Sequence, residues 1–62
     1  MKYFIELEGM VKEPIMLAVD EICFFYPHPE NIGQSCISTK MGLLQIGESY
    51  ADVKSKLQNL MN

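Results

Sequence analysis

The chain contains no arginine, and its five basic residues are lysines scattered among eight carboxylates. Arginine supplies most of the bidentate contacts that proteins make with phosphate groups and with the edges of guanine. Because the net charge is −3 and no basic stripe is visible, the sequence argues against a dedicated reader of nucleic acids. The same charge is too small to indicate a mimic of DNA.

Cysteine and histidine, the residues that most often bind zinc, are also few and are limited to Cys23, Cys36 and His28. Zinc sites usually use four ligands, often in Cys-x-x-Cys pairs, and no such pair occurs. His28 lies between two prolines in an expected surface loop, which does not favour a tuned base beside a cysteine nucleophile. Asp20 and Glu21 are typical of a turn, and the four glycines are too isolated to form a phosphate-binding loop. We therefore predict no metal, no cofactor and no enzymatic activity.

Long apolar runs are missing as well, because Glu6 interrupts the run near the amino terminus. This pattern predicts neither a signal peptide nor a membrane span. We expect a cytoplasmic protein without membrane insertion, in which both cysteines are reduced thiols.

What the chain does contain is apolar surface in excess of what a small core can hide. Its 62 residues predict a single domain, residues 1–62, with 48% hydrophobic residues. A chain of this length buries only about 60% of the surface that its unfolded form exposes. Such chains often depend on self-association for stability, and we expect a homo-oligomer.

Alternating apolar and polar residues predict strands through most of the chain. The first predicted strand covers residues 2–8 and begins at Lys2. Tyr3, Ile5 and Leu7 share one of its faces, and Phe4 is an apolar exception on the other face. Further strands are predicted over residues 13–19, 22–27, 34–40 and 43–46. Gly42 supplies the positive φ that a short hairpin between the last two strands needs.

The last segment, residues 48–62, predicts a helix. Ser49 followed three residues later by Asp52 is the capping-box pattern of a helix start, and Asp52 is expected to pair with Lys56. An inward stripe is formed by Val53, Leu57, Leu60 and Met61. The order of elements predicts an α+β fold, in which a small curved antiparallel sheet of four or five strands, barrel-like, is followed by one C-terminal helix.

The stretch "EICFFYPHPE" places two phenylalanines on consecutive strand positions, so one of them must face away from the core. The pattern does not decide which of the two faces inward, but simple alternation places Phe25 outside with Phe4, Met16 and Cys23. One helix cannot cover both faces of such a sheet, so we expect another polypeptide to cover the second face. The candidate partner-binding residues are Phe4, Phe25, Tyr26 and His28.

The segment "SCISTKMGLLQIGESYADVKSKL" resembles the FlbD-like flagellar proteins linked to swarming motility, and similar short uncharacterised proteins of bacteria and phages. These proteins share a strand, a glycine hairpin, a second strand, and a Glu-Ser pair before a helix. The matching positions are Ile37, Gly42, Ile46, Glu48, Ser49, Val53 and Leu57. The resemblance implies the fold and a non-enzymatic role.

Together, these features predict a small cytoplasmic interaction module that self-associates and binds another protein through an aromatic sheet face. The identity of that protein partner is not encoded in any motif. The alternative is a nucleic-acid-binding module of the small-barrel type, in which Tyr3, Phe25 and Tyr26 would stack on bases.

Overall fold

The computed structural model describes residues 3–61 of the chain and the side chains of residues 3–60. Five strands are followed by one helix: β1 Phe4–Glu8, β2 Pro14–Ala18, β3 Ile22–Pro27, β4 Ser35–Thr39, β5 Gly42–Ile46 and α1 Tyr50–Met61. The predicted α+β class with one C-terminal helix is confirmed. Lys2, where the first strand was predicted to begin, lies outside the described residues, as does the side chain of Met61.

The strands form two antiparallel sheets, one of β1 and β2 and the other of β3, β4 and β5 in that order. A bridge between Gly9 and Ile46 joins β1 to β5, and the Gly47 N–H donates to the Glu8 carbonyl at 2.8 Å. The strands thus form two sheets that are not closed into a barrel.

The close approach at this junction depends on a residue without a side chain. A Cβ atom on Gly47 would collide with the carbonyl oxygen of Gly9. In the hairpin between β4 and β5, Gly42 has a φ of 133°, as the sequence predicts for this turn. Glycine therefore determines both the contact between the sheets and the tightest hairpin.

The core lies between the two sheets and the helix. The buried residues from β1, β4, β5 and α1 are Ile5, Leu7, Ile37, Ile46 and Val53. Residues that pack against them from the other elements are Ile15, Leu17, Val19, Ile22, Phe25, Leu44 and Leu57. The inward faces predicted for the first strand and the helix are confirmed, except that Tyr3 and Leu60 are exposed.

A β-bulge interrupts the pairing of β3 with β4. Ile22 lies opposite Thr39. Phe24 is two residues further along β3, but it lies opposite Ser38, which is only one residue away from Thr39 in β4. Cys23 is therefore an extra residue without a counterpart in β4. An extra residue shifts the alternation of side chains beyond it by one position.

Because of this shift, Ile22 and Phe25 both pack towards the core although they are three positions apart. The Phe25 ring lies 5.1 Å from the ring of Tyr50 at the start of α1. Phe24 faces outward instead and is 59% exposed. The expectation that Phe25 lies on the outer face is therefore wrong, and the bulge is the physical reason.

Candidate interaction surface

The side chains of β3, β4 and β5 that point away from the core form a face without any charged residue. We call this set the outer sheet face. It consists of Phe24, Ser38 and Leu43 in one cross-strand row and Tyr26, Cys36 and Gln45 in the next. Since the whole chain carries a net charge of −3, its charges are concentrated elsewhere.

Two aromatic rings dominate the outer sheet face. Phe24 and Tyr26 are two residues apart in β3, and their rings stack with centroids 6.2 Å apart and planes 24° apart. They are 59% and 37% exposed, and Leu43 on β5 is 58% exposed. These side chains form an apolar surface that residues 3–61 leave uncovered.

Cys36 lies opposite Tyr26 in the ladder and is buried. Partial desolvation and the neighbouring Cys36 thiol raise the pKa of the Tyr26 hydroxyl above its ordinary value. A tyrosine hydroxyl is protonated at neutral pH even without this shift, so it can donate a hydrogen bond beside an apolar ring. Tyr26 thus adds a directional contact to a surface that is otherwise apolar.

Strand β3 pairs with β4 on one side and has no strand on its other side among residues 3–61. The ladder continues beyond the strand, because the His28 N–H donates to the Gln34 carbonyl at 3.1 Å. In an antiparallel ladder alternate residues bond to the same neighbour, so Phe24 and Tyr26 bond towards β4 as His28 does. The backbone N–H and C=O of Phe25 therefore point to the open edge.

Phe4 belongs to the other sheet, where it is 51% exposed on the outward side of β1. Its position on the polar side of the strand is as predicted. Met16 on β2 is also exposed, and it lies opposite Glu6 in the ladder. The structure does not bring Phe4 into a row with Tyr26, so these two candidate residues belong to separate surfaces.

His28 lies in the loop between β3 and β4, where it is half-buried. Its Nδ1 atom accepts a hydrogen bond from the Glu30 N–H at 3.1 Å. This geometry assigns the proton of the neutral ring to Nε2. His28 thus stabilises the turn that follows β3 and lies outside the outer sheet face.

The strongest polar cluster lies on the opposite side of the fold, around Glu48. This residue is only 8% exposed, and its carboxylate accepts the Glu8 N–H at 2.7 Å. The Lys56 Nζ donates to the same carboxylate at 2.7 Å, and the Ser35 hydroxyl donates to the Glu48 carbonyl at 2.8 Å. The cluster attaches the segment before α1 to both sheets.

Lys56 also donates to the Glu6 carbonyl at 2.8 Å, so it links the helix to β1. The sequence predicted that Lys56 pairs with Asp52 on the helix surface, and the ion pair with Glu48 replaces that expectation. Ser49 caps the helix as predicted, since its hydroxyl accepts the Asp52 N–H at 3.2 Å. Glu48 and Lys56 are eight residues apart, which is not a local helical spacing, so no sequence pattern indicates their contact.

The cavities lined by the described residues are shallow, and different kinds of side chain line them. One of about 360 Å³ lies beside the Glu48–Lys56 pair, and another of about 360 Å³ lies beside Met41 and Leu43. Within residues 3–61, no group of three or more His, Cys, Asp or Glu side chains is placed to hold a metal ion. No helix in that part of the chain has the length and apolar character needed to cross a membrane.

The outer sheet face therefore stands out for its exposed rings, its missing charges and its open strand edge. These three properties are the basis for inferring the function of the outer sheet face. No protein-family model matches the chain, and neither a curated protein nor a solved structure shows significant similarity to it.

Proposed function

We propose that the chain is a small non-enzymatic interaction module that self-associates and binds another protein through the outer sheet face. The observation that supports this proposal is the stacked pair of Phe24 and Tyr26, exposed on a face without charge. Contiguous exposed apolar surface on a small protein is typical of interaction sites. Aromatic residues are enriched at such sites and charged residues are depleted from their centres.

The composition of the outer sheet face also defines the kind of partner that fits it. Phe24 and Leu43 offer apolar contact area on either side of Ser38, whereas Gln45 and the Tyr26 hydroxyl offer hydrogen bonds nearer the two side edges of the face. A complementary surface is apolar at its centre and carries hydrogen-bond acceptors around it. A strongly charged partner surface would lose its hydration here without gaining an ion pair.

The cellular setting forms part of the same proposal. The resemblance to FlbD-like proteins and to short phage proteins implies a non-enzymatic role, and we propose that this role is accessory or regulatory and lies in the cytoplasm. Binding through a preformed sheet face suits such a role, because it needs neither a cofactor nor a catalytic pocket.

A nucleic-acid-binding role is the second candidate, since exposed aromatic rings can stack on single-stranded bases. Of the three rings that the sequence suggested for stacking, Phe25 packs against the core and Tyr3 precedes β1. Only Tyr26 lies in the outer sheet face, and that face carries no lysine to contact phosphate groups. We therefore favour a protein partner.

The experiment that tests the proposal is affinity capture from a lysate of the source organism with three forms of the protein. The native chain and Phe4→Glu are expected to retain the same partner, whereas Phe24→Glu is expected to lose it. Phe4→Glu is the matched control, because Phe4 has a similar exposure to Phe24 but lies on the other sheet. Retention of every captured protein by a folded Phe24→Glu variant would contradict the proposal.

A further inference from the structure

We infer that strand β3 pairs with β3 of a second copy of this chain, across a two-fold axis that passes beside Phe25. This pairing joins two three-stranded sheets into one sheet of six strands. The inference rests on the proposed function, because it identifies one occupant of the outer sheet face and of its open edge. It adds the register of the contact, which the proposed function leaves open.

The backbone at the open edge sets this register. Phe25 points its N–H and C=O away from β4, so two copies of Phe25 can exchange two hydrogen bonds across the axis. A two-fold axis between antiparallel strands pairs a central residue with itself. Pro27 lacks an N–H, but it lies at the end of the strand, where the second copy's Cys23 would face it.

The side chains favour the same register. With Phe25 at the axis, Phe24 of each copy lies directly opposite Tyr26 of the other. Residues opposite each other in a position without hydrogen bonds have Cβ atoms roughly 4.5–5.5 Å apart, which suits contact between aromatic rings. The two stacked pairs would therefore combine into a continuous group of four rings on one face of the joined sheet.

The exposed rings distinguish the edge of β3 from that of β2 in the other sheet. Neither strand contains a charged residue, and each has one proline at an end. On β2 the exposed large apolar side chain is Met16, whereas β3 presents the stacked rings of Phe24 and Tyr26 beside its open edge. Aromatic residues are enriched where proteins bind one another. The second copy is therefore expected at β3.

The area available determines how strong the pairing is. With 59% of Phe24 and 37% of Tyr26 exposed, each copy offers roughly 200 Å² of aromatic side chain, taking about 200 Å² for each whole side chain. A stable interface of standard size buries about 800 Å² on each partner. We therefore expect a reversible dimer that dissociates on dilution through the micromolar range.

The test combines sedimentation velocity over a concentration series with disulfide trapping. A mixture of Phe24→Cys and Tyr26→Cys, both with Cys23→Ser, places thiols opposite each other in a position without hydrogen bonds, at a Cα separation of about 4.5 Å. This distance lies within the range of roughly 4.4–6.8 Å that a disulfide accepts. The control is Gln45→Cys, which lies on the same face but two strands away from the edge. The native Cys36 is buried, so it does not compete for oxidation.

The expected result is a concentration-dependent dimer of the native chain, and oxidation that links Phe24→Cys to Tyr26→Cys but does not link copies of Gln45→Cys. We also expect Phe24→Glu to weaken the dimer about thirtyfold, the loss typical of an aromatic hot spot, and Phe4→Glu to leave it unchanged. Crosslinking through position 45 alone would indicate stacked faces and overturn the pairing of β3. A monomer at every concentration would also overturn the pairing of β3. The proposed function would then still be decided by the affinity-capture experiment.

Discussion

Phe24 and Phe25 are neighbours in sequence but lie on opposite sides of β3, the first stacked on Tyr26 at the surface and the second packed beside Tyr50 against the core. This relationship assigns interaction to one ring and stability to the other. A single substitution at each position therefore separates binding from folding.

We expect Phe25→Ala to lower the free energy of unfolding by about 2–3 kcal/mol, less than for a fully buried ring because Phe25 is half-buried. Phe24→Ala is the matched control and is expected to change it by less than about 1 kcal/mol. Urea denaturation followed by circular dichroism measures both values. Equal losses for the two variants would contradict the placement of the two rings.

The Glu48–Lys56 ion pair is expected to stabilise the attachment of α1. Lys56→Met leaves the buried Glu48 carboxylate without its cation, which we expect to cost about 1–2 kcal/mol, below the cost for fully buried pairs because Lys56 is partly exposed. Lys54→Met, on an exposed helix position, should change the free energy of unfolding by less than about 0.5 kcal/mol. If both variants unfold at the same urea concentration, the ion pair contributes nothing to stability.

The junction between the sheets is tested by Gly47→Ala. Its new Cβ would collide with backbone at Gly9, so we expect a loss of about 1–3 kcal/mol in the free energy of unfolding and faster exchange of the amide of residue 47. Gly33→Ala is the control, because a Cβ there meets no atom within 4 Å. Hydrogen exchange by NMR reports the contact directly, and unchanged protection of this amide would show that the sheets accommodate the added Cβ without separating.

Binding of single-stranded oligonucleotides distinguishes the two candidate functions. The outer sheet face carries no lysine, so we expect no binding that weakens steeply as salt increases. Fluorescence anisotropy of a labelled oligonucleotide over a salt series is the measurement. A steep salt dependence that disappears in Phe24→Glu would favour the nucleic-acid role.

Local sequence patterns predict several elements of this fold correctly. The alternation in "ICFFYP" gives β3 with the boundaries Ile22–Pro27, Gly42 marks the hairpin and Ser49 marks the helix start. Each of these features depends on residues close together in the chain. Local chemistry is sufficient for them.

The features that the sequence does not predict depend on distant partners. The bulge at Cys23 exists only relative to the register of β4, and the contact between Glu48 and Lys56 depends on how α1 lies against β1. How the two sheets meet depends on the bridge between Gly9 and Ile46, which are far apart in sequence. For this reason simple alternation placed Phe25 on the outer side of the sheet, where the structure has Phe24.

The unpaired Cys23 gives β3 an unusual tolerance to a change in length. Removing this residue would leave Ile22 opposite Thr39 and Phe24 opposite Ser38, now as successive rungs of a regular ladder. Every aromatic ring would keep its present orientation, while the strand would lose the local bend that a bulge introduces. Among relatives of this chain, a one-residue gap at this position would therefore preserve the chemistry of the surface and alter only its curvature.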